Sequence, residues 1–223
     1  MPVDPASLSA LPHVIGAERL APYLATCGQD ASRAIRLCCW NIEASSALLG
    51  TFAAVEVGVR NAMHRSLSEH HGRTDWWVDA PLTGQDRAAV VGAARYLDQR
   101  RGSQDWTPGH LVAELPVSFW EGLLANRYHQ ALWVPSLAGA FPHFDGRRRD
   151  VKAQLQRLRL LRNRAAHHEP IHSRDLRVDL QYLCQLAGYV SAELRVWVES
   201  HSRLPRVVDG KSASVAGLRA TRF

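Results

Sequence analysis

Cysteine is scarce and unpatterned. The 223 residues hold four, Cys27, Cys38, Cys39 and Cys184, with no CxxC pair. That spacing suits neither a zinc knuckle nor the disulfide scaffold of a secreted domain, so buried free thiols are the expectation. There is no HExxH run and no glycine-rich phosphate loop, which removes the usual signatures of zinc hydrolases and loop-type nucleotide binders. No run of 18 or more residues is apolar throughout, and the opening MPVDPASLSALPHVIG has no basic segment leading into an apolar one. The expectation is neither a membrane span nor a signal peptide, and a cytoplasmic location. Nor is there an alternating polar–apolar stretch long enough to nominate a sheet strand, or an internal repeat.

What remains is an ordinary globular composition. Hydrophobic residues make up 46% of the chain, enough to bury a core and too many for a disordered protein. Apolar residues recur at intervals of three and four almost throughout, so the expected class is all-α. The expected organisation is an N-terminal arm at 1–12, one helical domain at 13–200 and a basic, flexible tail at 201–223.

Within the domain, a short helix should close at Gly28. Asp30 to Glu69 contains no proline and reads as one long helix or two broken near Gly50. The two tryptophans of HHGRTDWWVDAPLTG should plug the core from a loop. GQDRAAVVGAARYLDQRRG is the next helix. TPGHLVAEL has Thr107 as N-cap and Pro108 at the first helical position. VSFWEGLLANRYHQALW is expected to be one further helix. Asp145 or a neighbour should cap a basic helix running to His168, stopped by Pro170. Ser173 can cap the last helix, interrupted or kinked near Gly188.

Charge is concentrated. Lys and Arg number 27 against 21 Asp and Glu, a formal +6. Between Arg147 and Arg164 lie eight bases (Arg147, Arg148, Arg149, Lys152, Arg157, Arg159, Arg162 and Arg164) and one acid, Asp150, a local +7. One helix thus carries more than the excess of the whole chain, the footprint of a polyanion binder. A solvated basic face without a partner is the plainer alternative.

The basic helix ends in RNRAAHHEP, residues 162–170. At about 100° per residue, Val151, Leu155, Leu158, Leu161 and Ala165 form its apolar stripe, and Arg162 projects about 20° from Val151, inside that stripe. An arginine there needs a carboxylate or a bound anion. His167 stacks one turn above Asn163, whereas His168 faces the Leu161 edge. In TFAAVEVGVRNAMHRSL, Glu56 likewise projects among apolar positions, followed by Arg60, Asn61 and His64. Glu56 either pairs with Arg60 along its own helix or reaches across to orient Arg162.

An arginine, an amide and a histidine at this spacing suit metal-independent RNA cleavage. A base takes the proton from a ribose 2′-OH, a cation balances charge on the phosphoryl oxygens, and an acid protonates the departing 5′-oxygen. Imidazole serves both proton transfers, and a guanidinium makes paired contacts to phosphate. Asn163 can donate to phosphate or hold an imidazole in one tautomer. A structural helix terminus is the competing account of the same residues. A metal site is disfavoured, because His167, His168 and Glu169 are consecutive and diverge around a helix. His64 or His172 would have to complete it, and neither metal nor cofactor is expected.

Three stretches together resemble a known family. NIEASSALLGTFAAVEVGVRNAMHRSL, ELPVSFWEGLL and LRLLRNRAAHHEPI, in that order over roughly residues 20 to 200, resemble the Abi-like proteins, the abortive-infection family related to AbiD and AbiF within the HEPN superfamily. The resemblance implies a HEPN-like helical bundle and an endoribonuclease working as a homodimer in phage defence or as a toxin. The superfamily's R-x(4–6)-H pattern falls on Arg162 through His167, with Asn163 as the polar residue after the arginine, and His168 also fits the spacing. Glu56, Arg60 and Asn61 match positions of the Abi-like group and, with His64, are carried as supporting residues.

His167, at the shorter spacing from Arg162, is the expected proton-transfer residue. The expected partners are RNA, a second copy across a groove rimmed by the Trp120 helix, and an antitoxin or guide RNA. A non-catalytic RNA- or protein-binding module is the alternative, and both readings use the same basic helix.

Overall fold

A computed structural model describes residues 5–103 and 105–223. Its helices are α1 (Pro5–Ile15), α2 (Ala17–Thr26), α3 (Ala31–His71), α4 (Gly84–Arg101), α5 (Pro108–Glu114), α6 (Val117–Leu123), α7 (Arg148–Ala166), α8 (Leu176–Val190), α9 (Ala192–His201), α10 (Leu204–Asp209) and α11 (Lys211–Val215). Among the described residues there is no strand, and the fold is all-α.

The local reasons are mostly legible. Gly28 takes a left-handed φ of 62° just after α2, which glycine adopts without a Cβ penalty. Thr83 accepts the Asp86 amide at the start of α4, and His110 Nδ1 accepts the Thr107 amide at the start of α5. α3 runs unbroken through Gly50, whose missing side chain would meet only open space. By length and composition α3 is apolar enough to cross a membrane, and half of its most apolar window is buried inside the protein.

The chain divides into two compact units, with the boundaries between them falling inside α3, α7, α8 and α9. The first unit comprises residues 1–52, 161–181 and 201–223; the second comprises 53–160 and 182–200.

In the second unit, Trp76 is fully buried, with the Trp77 ring 5.5 Å away and the Phe119 and Trp120 rings at 6.4 and 6.3 Å. Trp120 is itself buried in this core. The stretch expected to continue that helix through Trp133 instead stops at Leu123 and passes into a 3₁₀ turn (Asn126–Tyr128) and a π turn (His129–Trp133). Leu124, Tyr128, Leu132 and Trp133 of this stretch are all buried. Tyr128 closes the break by donating to buried Asp86 at 2.5 Å, beside Arg127 at 3.1 Å. α9 packs on α3 where Gly58 leaves space: an added Cβ would sit 2.3 Å from Leu194.

The first unit corrects the reading of 201–223 as a flexible tail. Leu204 and Val207 of α10 and Ser214 of α11 are buried. Trp40 Nε1 donates to the Val207 carbonyl at 2.8 Å, and Thr51 Oγ meets Ser202 Oγ at 2.8 Å. Arg219 makes a two-pronged contact with buried Glu43, both bonds 2.8 Å, and donates to Ser214. The segment is polar in composition because its charges face specific partners distant in sequence. The expected arm at 1–12 is helical from Pro5 onward, and residues 1–4 lie outside the described residues. The cap of α8 is Asp175, whose carboxylate accepts the Arg177 and Val178 amides, rather than Ser173. The interruption expected near Gly188 falls at Ser191, which caps α9 through the Leu194 amide.

Arg219→Ala leaves the Glu43 carboxylate buried and unpaired. We expect a loss of roughly 2–3 kcal/mol in urea denaturation, below the fully buried value because Arg219 is partly exposed. Trypsin should then cleave after Arg203 and Arg206, sites protected in the wild type.

Candidate functional site

The basic helix ends differently from its sequence expectation. α7 stops at Ala166, two residues before His168 and well short of Pro170. His168 takes φ 57°, its amide donates to the Ala165 carbonyl at 3.1 Å, and the Glu169 amide donates to the Arg164 carbonyl at 2.8 Å. This pair of bonds is a Schellman cap with histidine where glycine usually stands. His168 therefore leaves the helical register and does not face the Leu161 edge. His167 keeps the register, its amide bonded to the Asn163 carbonyl at 2.9 Å, and is exposed.

Tertiary contacts fix the turn that follows. The buried Asn41 side chain of α3 accepts the Ile171 amide at 2.8 Å. Lys211 of α11 donates to the His172 carbonyl at 2.5 Å and lies 4.8 Å over the Trp40 ring. His172 is buried and packs against the Tyr23 ring at 5.0 Å. Thr26 Oγ1 lies 2.9 Å from the Pro22 carbonyl and 3.0 Å from His172 Nε2. The His172 Nδ1 nitrogen is buried and has no hydrogen-bond partner among the described residues. Burial, with Lys211 adding to it, pushes the His172 pKa down.

Arg162 and Asn163 are half-buried one turn above this end, and within their unit the Arg162 guanidinium meets the Asn163 side-chain oxygen at 3.5 Å. Arg162, Asn163, His167 and His168 all belong to the first unit. Glu56, Arg60, Asn61 and His64 belong to the second. There Arg60 donates to the Ala113 carbonyl at 3.4 Å, and Asn61 is exposed. His64 Nδ1 accepts the buried Trp76 indole N–H at 3.1 Å, and burial lowers its pKa. That makes His64 a neutral imidazole that satisfies the tryptophan core.

Several cations of the basic helix have protein partners. Buried Glu121 takes Arg159 at 2.5 Å and Lys152 at 3.6 Å. Arg148 donates to the Leu124 carbonyl and to Asn126, and Arg157 lies 4.2 Å over the Tyr182 ring. Arg164 is tied to Glu169 at 3.5 Å and to the Pro170 carbonyl at 2.9 Å. Arg147 and Arg149 stand exposed near the helix start, where Arg149 meets Asp150 only at 3.7 Å.

Beside the histidine turn opens a cleft of about 580 Å³, lined by Ile15, Glu18, Arg19, Pro22, His168 and Pro170, with Glu169 on the same wall as His168. Arg19 spans it, its guanidinium 3.5 Å from the His168 carbonyl. Sequence reasoning missed Arg19, a single cation in a short helix 149 residues from the motif it meets. Among the described residues no three His, Cys, Asp or Glu side chains form a metal-ligand group.

No family model, curated protein or solved structure matches this chain. The Abi-like resemblance therefore rests on its quoted motifs.

Two measurements follow from the turn. A residue in the left-handed region costs about 1–2 kcal/mol unless it is glycine, partly offset by glycine's freedom in the unfolded chain. His168→Gly should raise stability by roughly 0.5–1 kcal/mol, and His168→Val should lower it, read from urea midpoints. For His172 the unfolded imidazole titrates near 6.5 and the folded one below that. The His172 contribution is therefore fully present above about pH 6.5 and is lost as pH falls through that value toward the folded pKa. His172→Gln should flatten the decline of stability between about pH 7 and pH 5.

Proposed function

We propose that this protein is a metal-independent endoribonuclease of the HEPN type, acting in abortive infection or as a toxin. The observation that carries the reading is the open cleft at the end of the basic helix, where Arg19 and His168 line one cavity beside exposed His167. Asn163 and Arg162 lie within the preceding turns of the same helix.

The chemistry follows from those groups. An imidazole of the pair takes the 2′-OH proton as that oxygen attacks phosphorus. The phosphoryl oxygens are met by guanidinium donors from Arg162. An imidazolium returns a proton to the 5′-oxygen as the P–O bond breaks, leaving a 2′,3′-cyclic phosphate. His167 keeps the assigned proton transfer, and the cleft supports a direct part for His168 as well. One chain offers few such groups, so the active form is a homodimer. Exposed Arg147, Arg149 and Arg157 neutralise RNA phosphates, and the cell holds the protein in check through an antitoxin or RNA partner.

A second reading, a non-catalytic RNA-binding module, is favoured by one observation: the Schellman cap accounts structurally for His168 without catalysis.

Incubating the purified protein with tRNA and total RNA in EDTA separates the two. Wild type should cleave and leave cyclic phosphate ends, and light scattering should report twice the chain mass. Arg162→Ala and His167→Ala should lower the rate by at least about 10²-fold with helicity retained. His168→Gly keeps the cap, so loss of cleavage in that variant marks an acid–base role. Cleavage undiminished in both histidine variants would leave the binding module standing.

A further inference from the structure

The cleft beside the histidine turn has a lining that suggests what it holds. We propose that it binds the guanine base of an RNA nucleotide, an inference that rests on the ribonuclease reading and names its specificity. A volume of about 580 Å³ is within the range of small-molecule sites and accommodates one nucleotide. Ile15, Pro22 and Pro170 give it apolar surfaces against which a flat ring can lie.

The polar groups are few and of opposite kinds. Glu18, in the first turn of α2, is exposed and has no hydrogen-bond or ion-pair partner among the described residues. Arg19 has only the 3.5 Å contact to the His168 carbonyl. Glu169 is already held by Arg164 at 3.5 Å, so Glu18 is the open acceptor of the cleft. A base that satisfies both must offer paired donors to a carboxylate and paired acceptors to a guanidinium. Guanine does so, with N1–H and N2–H₂ on one edge and O6 and N7 on the next. Adenine has a single exocyclic donor group, cytosine lacks the acceptor pair that arginine reads, and uracil has one ring N–H. A guanine seated here lies next to the turn that carries His167 and His168, so its recognition selects which phosphodiester the histidines meet.

The experiment is an NMR titration of the intact protein, in EDTA, with 5′-GMP, 5′-AMP, 5′-CMP, 5′-UMP and inorganic phosphate. GMP should bind at least tenfold more tightly than the other nucleotides, with phosphate alone far weaker. Glu18→Gln should erase roughly ten- to hundredfold of the GMP preference, and Arg19→Ala should weaken GMP binding. Both side chains are exposed, so melting temperatures should match wild type. Equal binding of all four nucleotides would overturn the proposal, as would phosphate binding as well as GMP, or a GMP preference unchanged by Glu18→Gln. Nucleotide affinity is read without cleavage. A GMP-selective protein that cuts no RNA supports the pocket and sinks the ribonuclease reading, whereas an active ribonuclease indifferent to the base sinks the pocket alone.

Discussion

A 41-residue helix with a long apolar face must have that face covered, because exposing apolar surface costs about 25 cal/mol for each Å². α3 is such a helix, and other elements of both units are arranged to cover it. Its first half buries Ile35, Leu37, Trp40, Ala44 and Leu48 in the first unit; its second half buries Val55, Val59, Met63 and Leu67 in the second. Among the polar residues buried on the first half, Asn41 and Glu43 bring an amide and a carboxylate that require partners there. Asn41 finds the Ile171 amide and Glu43 finds Arg219. The need to satisfy Asn41 thus fixes the backbone three residues beyond His168. The candidate site inherits its placement from the core helix, through one buried hydrogen bond.

The same economy governs the basic helix. Its sequence advertises a local +7, yet Glu121 alone engages two of those charges from a buried position, and Glu169 engages a third. A buried carboxylate with a bidentate-capable arginine and a lysine locks α6 onto α7 within the second unit. A helix can be strongly basic for internal reasons, and the charge count overstates what faces a polyanion. Arg147, Arg149, Arg157 and Arg164 are its exposed cations, and Arg19 is exposed beside its end.

Much of the fold was legible because it is written locally. Thr107 before Pro108, Gly28 after α2, and the Val151–Leu155–Leu158–Leu161–Ala165 stripe each carry their own signal within a few residues. What was illegible depends on residues far apart. Arg219 and Glu43 are 176 residues apart, and a polar C-terminal stretch with no visible partner reads as a tail. The break after Leu123 depends on Tyr128 reaching Asp86, 42 residues away. In the candidate site, the residue types of RNRAAHH were visible. The left-handed turn at His168 was not, since histidine gives no signal for that conformation. Nor was Arg19, which becomes part of the site only when α2 packs beside the turn.

The first unit is built from three separate stretches of chain, and the last of them supplies Lys211 and Arg219. Synthesis proceeds from the N-terminus, so the long 53–160 stretch of the second unit is complete before those residues exist. During that interval the turn after α7 lacks the lysine that holds the His172 carbonyl, and Glu43 lacks its arginine. A nascent chain therefore carries its histidine pair before the turn that bears it is fastened, which delays the geometry of that turn until after the bulk of the protein has been made.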